Sequence, residues 1–228
     1  MRILITGVSG FIGYRLAQRL AAQGHEVMGT YLRDRPALPG IELVDLDLED
    51  DGLLDATVSR LAPEVTVHLA GLSHVGDSWS RPGDYFRVNV LGSENLLRAL
   101  RGGRVIAASS AEVYGDVPVD RQPIPETCRV APQNPYALTK AAMERLVLAA
   151  DGVVVRSFNI VGPGQAESFA LPAFAGQLAA IRTGQQEPVL KVGNLTARRD
   201  FVHVDDAIEA LEILILQGEP GSSYNLGS

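Results

Sequence analysis

Arg2-Ile3-Leu4-Ile5-Thr6 followed by Gly7-Val8-Ser9-Gly10-Phe11-Ile12-Gly13 is the stretch whose reading decides the fold. An apolar run of strand length leads straight into three glycines spaced Gly-x-x-Gly-x-x-Gly, and a helical pattern, Phe11–Gln23, follows. The spacing is a variant of the dinucleotide fingerprint. Gly7 permits the tight turn, Gly10 lets backbone approach a pyrophosphate, and Gly13 lets the helix pack close on the strand. The helix N-terminus then offers free N–H groups and a positive dipole end to phosphates. Phe11 and Ile12 sit inside the same turn and are expected to contact the dinucleotide.

Working outward, short apolar runs alternate with helical patterns. Strands are expected at Arg2–Thr6, Glu26–Tyr31, Ile41–Asp45, Val65–Leu69, Arg104–Ser109 and Val153–Arg156. They are β-branched and almost wholly apolar, as strands buried on both faces should be. Helices are expected at Phe11–Gln23, Gly52–Arg60, Asp84–Leu100 and Pro135–Ala150. This alternation predicts an α/β fold, a Rossmann-type doubly wound parallel sheet covered by helices on both faces. After Arg156 the rhythm changes: a helix-like stretch Phe169–Arg182, loop-rich segments, then a helix Val204–Leu216 with Asp205 and Asp206 in its first turn. The expected organisation is a dinucleotide-binding domain over residues 1–160. A small, incomplete substrate lobe over 161–228 interleaves with the last elements of the sheet.

The 228 residues carry a formal net charge of −7 with no Lys/Arg-rich run, which argues against a nucleic-acid partner. Cys128 is the single cysteine, so no internal disulfide forms. No apolar run reaches membrane-spanning length, and a cytoplasmic protein with no membrane partner is expected. His25, His68, His74 and His203 lack ligand spacing, so no metal site is expected.

Tyr136 and Lys140 stand four apart at the start of a helix and so project from one face. A free tyrosine has a pKa near ~10; a nearby ammonium, with an oxidised nicotinamide, is expected to bring it toward the working range. Ser110 follows the fifth strand at its C-terminal end, where open α/β sheets place their ligands. Its hydroxyl could hold a carbonyl or alkoxide beside the phenol. Together these residues point to hydride exchange with a nicotinamide, Tyr136 handling the proton. The second strand ends Thr30-Tyr31 without the acid that favours NAD, and Arg33 or Arg35 follows, suited to a ribose 2′-phosphate. NADP is therefore expected, with NAD the alternative. Asp47-Leu48 after the third strand is a candidate adenine contact.

Thr6-Gly7-x-x-Gly10-Phe11-Ile12-Gly13, Ser109-Ser110-Ala111-Glu112-Val113-Tyr114-Gly115 and Pro135-Tyr136-Ala137-Leu138-Thr139-Lys140 resemble the extended short-chain dehydrogenases. These are the NAD-dependent epimerase/dehydratase family acting on nucleotide sugars, and the resemblance covers essentially the whole chain. It implies that Ser110, Tyr136 and Lys140 are the catalytic triad. It also implies that Asn89 and the run His68-Leu69-Ala70-Gly71 serve the cofactor. Within the family, Ser73–Trp79, Phe158–Gln165 and Lys191–Phe201 look most like the GDP-4-keto-6-deoxy-mannose reductases and GDP-mannose 4,6-dehydratases. By that resemblance Asn159 and Arg199, and Lys191 with them, would contact the phosphates and sugar, with Ser73 near the hexose. An Arg fork such as Arg199 suits a diphosphate.

Glu112 takes the place of the acid that dehydratases of this family use at the sugar ring, but reductases carry glutamate there too. Ile160 departs from the histidine that the GDP-sugar enzymes carry after Phe-Asn, leaving the hexose open. Relatives continue past Asn225-Leu226-Gly227-Ser228 with more of the substrate lobe. The expectation is either a fragment or a trimmed enzyme whose pocket is open or completed by another subunit. The helices Asp84–Leu100 and Pro135–Ala150 are those the family uses for dimer packing, so a homodimer is expected. Three functions remain at this point: a 4-keto reductase, a dehydratase or epimerase that keeps its cofactor, and a non-catalytic NAD(P)-binding module.

Overall fold

Alternate residues of each central strand feed opposite faces of one sheet, and this division builds the two helical layers. The computed structural model describes residues 1–228. Seven parallel strands are β1 (Arg2–Thr6), β2 (Glu26–Tyr31), β3 (Glu42–Asp45), β4 (Val65–His68), β5 (Arg104–Ser110), β6 (Val153–Ser157) and a last strand, Ser223–Leu226. Their order is β3-β2-β1-β4-β5-β6 followed by that last strand. The order reverses between β1 and β4, which is where such sheets open a ligand crevice at their C-terminal edge.

Ile3, Ile5, Val65, Val67, Val153 and Val155 face one layer, formed by α1 (Phe11–Ala22) and the helix Val204–Gln217. Leu4 and Met28 face the other, against Leu54, Val58 and Leu61 of α2 (Asp51–Leu61) and Leu96 of the helix Gly92–Leu100. Val105, Ala107 and Val154 complete that face against Met143 and Val147 of the helix Pro135–Ala149. Each Val, Leu, Ile or Met side chain among these taken fully out of water contributes about 1.5–3 kcal/mol, which makes the two layers the main source of cohesion.

Between β4 and β5 lie α3 (Val75–Ser80), α4 (Pro82–Phe86) and α5 (Gly92–Leu100). The helix expected from Asp84 starts earlier, with Pro82 in its first turn, where a missing N–H costs nothing. It is also interrupted by a π-helical turn, Arg87–Leu91, which carries Asn89. α6 (Pro135–Ala149) is capped by Asn134, whose Oδ1 accepts from the Ala137 amide at 2.8 Å.

Beyond β6 the chain forms β7 (Asn159–Val161), α7 (Ala170–Arg182), β8 (Phe201–His203), α8 (Val204–Gln217) and β9 (Ser223–Leu226). β7 and β8 pair with each other in a separate two-stranded parallel sheet. α8 and β9 return to the main sheet, β9 beside β6. The sequence reading missed β7, β8 and β9, which are three or four residues long and lie outside the regular strand–helix alternation that marked the earlier short strands. No helix is long and apolar enough to cross a membrane.

Candidate active site

The glycine turn is shaped by contacts that admit no side chain. Gly7 has φ +70°, and a Cβ there would sit 2.8 Å from the backbone of Ala70. A Cβ on Gly13 would lie 2.5 Å from the Gly7 carbonyl oxygen, so α1 can approach the turn only with glycine at that place. Gly10 caps α1 without any side-chain hydrogen bond, and its N–H closes the turn on the Gly7 carbonyl at 3.0 Å. The next helix N–H groups are therefore left for an anion. Phe11 and Ile12 are partly buried against the α1–α8 layer.

The other expected cofactor contacts divide. Leu69, Ala70 and Gly71 follow β4 directly, and Ala70 donates its N–H to Thr6 Oγ1 at 3.2 Å. Asn89 is buried; its Oδ1 accepts from the Leu72 amide at 2.8 Å and its Nδ2 donates to the Leu72 carbonyl at 3.0 Å. A Cβ on Gly71 would stand 2.9 Å from Asn89 Oδ1 and 3.6 Å from Lys140 Nζ. Arg33, exposed and at φ +80°, sits just beyond β2. Asp47 closes a local turn by accepting from the Glu49 amide at 3.0 Å. Leu48 is 6% exposed and packs in the α2–α5 core. Its apolar side chain is drawn inward, and its carbonyl accepts from Asn95 Nδ2 at 2.9 Å.

Ser110, Tyr136 and Lys140 converge where β5 ends and α6 begins. The Ser110 hydroxyl accepts from the Glu112 amide at 3.2 Å, capping a short 3₁₀ turn. Lys140 Nζ donates to the Ala108 carbonyl at 2.8 Å, and burial lowers its pKa to about 8 while Glu144 opposes. Tyr136 is pushed up to about 12, chiefly by burial, with the Ser110 hydroxyl beside it pulling the other way. Lys140 is not among the groups that set this pKa. Its ammonium is turned to the β5 backbone, and Tyr136 feels burial, Ser110, Glu112 and Tyr85 instead. The sequence reading also missed Tyr85, 1% exposed, whose ring meets that of Tyr136 edge-on at 6.3 Å.

Beside this trio opens a cavity of about 1030 Å³, whose wall includes Ser110, Glu112, Asn134, Asn159, Arg199 and Trp79. Glu112 Oε2 accepts from Asn134 Nδ2 at 2.9 Å, so the residue that caps the Tyr136 helix also steadies the cavity's carboxylate. Asn159 Nδ2 donates to the Asp200 carbonyl at 2.9 Å. Arg199 is exposed, donating only to the Arg198 carbonyl at 2.8 Å. Ser73 and Lys191, expected at the hexose and phosphates, are exposed and do not line this cavity. The Lys191 backbone is fastened to α7 through the Gln177 side chain, at 2.8 and 3.0 Å. The missed lining residues Trp79, Asn134 and Asp200 carry no spacing signal; they meet only through the fold. No group of three or more His, Cys, Asp or Glu side chains is placed to hold a metal ion.

A glycine turn at the switch point of a parallel sheet, with serine, tyrosine and lysine at its C-terminal edge, defines a Rossmann-type protein of the short-chain dehydrogenase class. Residues 3–227 match the NAD dependent epimerase/dehydratase family, and the chain belongs to that family. It is 37% identical to the GDP-6-deoxy-D-mannose reductase of Pseudomonas aeruginosa, over 100% of this chain and 74% of that protein. It is 33% identical to a dTDP-glucose 4,6-dehydratase of Streptomyces niveus, over 100% of this chain and 72% of that one. Among solved structures, RMD from Pseudomonas aeruginosa complexed with NADPH superposes with a TM-score of 0.88 at 34% identity, covering 100% of this chain and 78% of that one.

Proposed function

We propose that this protein is an NADPH-dependent reductase of a 4-keto-6-deoxyhexose carried on a nucleoside diphosphate, most closely the GDP-linked mannose derivative. The observation that carries the reading is the meeting of three parts: the tight glycine turn, the Ser110–Tyr136–Lys140 trio, and a cavity lined by Ser110, Asn159 and Arg199. The turn fits a dinucleotide, because Gly7 and Gly13 let the turn close tightly on Ala70 and on α1, and the N-terminus of α1 has no capping side chain. Gly7, Gly10, Gly13, Phe11 and Ile12 would hold the pyrophosphate. Leu69–Gly71, Asn89 and Lys140 line the way to its ribose, Asp47 stands toward the adenine, and Arg33 suits a 2′-phosphate. The bound nicotinamide supplies the hydride.

The chain's own residues do the rest. Ser110 holds the sugar's carbonyl oxygen. With a pKa near 12, Tyr136 keeps its proton at neutral pH and gives it to the alkoxide as that forms. Asn159 and Arg199 hold the diphosphate and sugar. The similarity to the Pseudomonas aeruginosa reductase supports the GDP sugar, and the NADPH complex of RMD supports the cofactor. The reading includes a cytoplasmic homodimer packed through α4–α5 and α6, where Leu91 and Leu138 are 55% and 48% exposed.

Glu112 favours a second reading: a carboxylate in the cavity two residues from Ser110 suits the proton transfers of a dehydratase or epimerase. Mixing purified protein with NADPH and GDP-4-keto-6-deoxy-D-mannose separates them. The reductase consumes one NADPH per product; a hydride-returning enzyme leaves NADPH unchanged.

A further inference from the structure

Outside the reacting trio, Thr6, His68, Asn89, Ser93 and Thr139 lie in the core, each at most 4% exposed. Buried polar side chains are as a rule hydrogen-bonded, and these five satisfy one another in a continuous chain. The Ala70 amide donates to Thr6 Oγ1 at 3.2 Å, and Thr6 Oγ1 lies 2.7 Å from His68 Nδ1. Across the ring, His68 Nε2 lies 2.8 Å from Ser93 Oγ, which donates to the Asn89 carbonyl at 2.7 Å. Asn89 Nδ2 donates to Thr139 Oγ1 at 3.0 Å, and Thr139 Oγ1 donates to the Tyr136 carbonyl at 2.7 Å.

Proton counting fixes the direction of the chain. A hydroxyl has one proton to give, and that of Ser93 is committed to Asn89. His68 Nε2 must therefore carry the hydrogen between ring and serine, and Nδ1 accepts the hydroxyl proton of Thr6. A doubly protonated ring would displace that proton from its acceptor. Burial, aided by the charge of Lys140, lowers the pKa of His68 to about 3, so the ring is neutral.

The chain joins segments that frame the dinucleotide cradle. Thr6 immediately precedes Gly7; Ala70 is the backbone against which Gly7 is packed; Asn89 stands against Gly71. We infer that His68 is a positioning residue for the dinucleotide pocket: as the neutral Nε2–H tautomer it locks the Thr6–Gly7 turn to Asn89 and, through Thr139, to the Tyr136 helix. This rests on the cofactor reading above.

The test is fluorescence titration of NADPH against the full chain, wild type beside Thr6→Val, Thr6→Ser, His68→Gln, Ser93→Ala and the double variant Thr6→Val/Ser93→Ala. Each variant's melting curve is recorded alongside. Thr6→Val, His68→Gln and Ser93→Ala are expected to weaken NADPH binding about tenfold or more, because each leaves a buried donor or acceptor without its partner. Thr6→Ser, which keeps the hydroxyl, retains wild-type affinity. The double variant loses less than the product of its singles, since both cut one chain. The Kd is a property of folded molecules, so lost stability alone does not move it. A ¹⁵N spectrum of the wild-type imidazole shows the Nε2–H form unchanged from pH 5 to 8. Wild-type affinity in the cut variants, an Nδ1–H tautomer, or titration of His68 in that range overturns the inference. A wild type that does not bind NADPH fails the cofactor reading instead, and the imidazole spectrum still judges the chain.

Discussion

Arg156→Met removes one partner of a buried ion pair and leaves the other in place. Arg156 and Glu144 have side chains 6% and 2% exposed, with Nη2 and Oε2 2.8 Å apart. The guanidinium also donates from Nε to Glu144 Oε1 at 3.0 Å, and from Nη1 to Tyr114 Oη at 2.9 Å and the Glu126 carbonyl at 3.1 Å. Burial works against the charge on Arg156, yet its hydrogen bonds to Glu144 and Tyr114 raise its pKa above the ordinary value. In the variant, Glu144 retains only the Ser109 hydroxyl, at 2.5 Å. Removing one partner of a buried pair costs about 3–5 kcal/mol, with the Lys140 ammonium, which Glu144 also faces, offsetting only part of it. With about 2.1 cal/mol/K of unfolding entropy for each of the 228 residues, the midpoint should fall by about 6–10 °C. Calorimetry at pH 7 measures it. Glu144→Gln added to Arg156→Met removes the stranded charge and should restore about 2 kcal/mol. A fall below about 2 °C in the single variant, or a double variant no more stable than the single, would refute the reasoning.

Three further outcomes follow from the same structure. Tyr136→Phe should leave NADPH affinity within a few-fold and lower kcat by about 10²–10⁴, the usual weight of a general acid; stopped-flow absorbance checks it. Gly13→Ala places a Cβ 2.5 Å from the Gly7 carbonyl oxygen, so α1 must move off the turn. That should cost about 1–3 kcal/mol of stability and abolish NADPH binding at micromolar cofactor, as titration calorimetry would read. His68, with its pKa lowered from 6.5 to about 3, stays neutral in the fold while the unfolded chain takes up a proton. Stability is therefore present above pH 6.5 and lost as pH falls toward 3, at about 1.4 kcal/mol per unit, or about 2 kcal/mol by pH 5. Urea melts across that window should show this loss in wild type and a flatter profile in His68→Gln.

The parallel sheet was legible because its central strands are buried on both faces, so their apolar runs are unbroken and stand out between helical patterns. The glycine turn was legible because no other residue can sit at Gly7 and Gly13. The short strands Asn159–Val161, Phe201–His203 and Ser223–Leu226 were not, because their pairing depends on partners up to 70 residues distant, as Val154 is from Ser223. Ser110, Tyr136 and Lys140 could be picked out by order and spacing, but the direction of the Lys140 side chain could not. Only the fold brings the Ala108 carbonyl under its Nζ. Tyr85, Asn134 and the Thr6–His68–Ser93 chain belong to the same class: ordinary residue types in sequence, made specific by three-dimensional neighbours.

The most direct test of the account follows the hydride. NADPH carrying deuterium at the transferable position of nicotinamide C4 is incubated with the protein and GDP-4-keto-6-deoxy-D-mannose, and the nucleotide sugar is weighed by mass spectrometry. The account predicts one deuterium in each product molecule, one NADP⁺ formed for each, and loss of both with Tyr136→Phe. Unlabelled product formed while NADPH stays reduced, or bound NADPH with no product on this sugar, would contradict it.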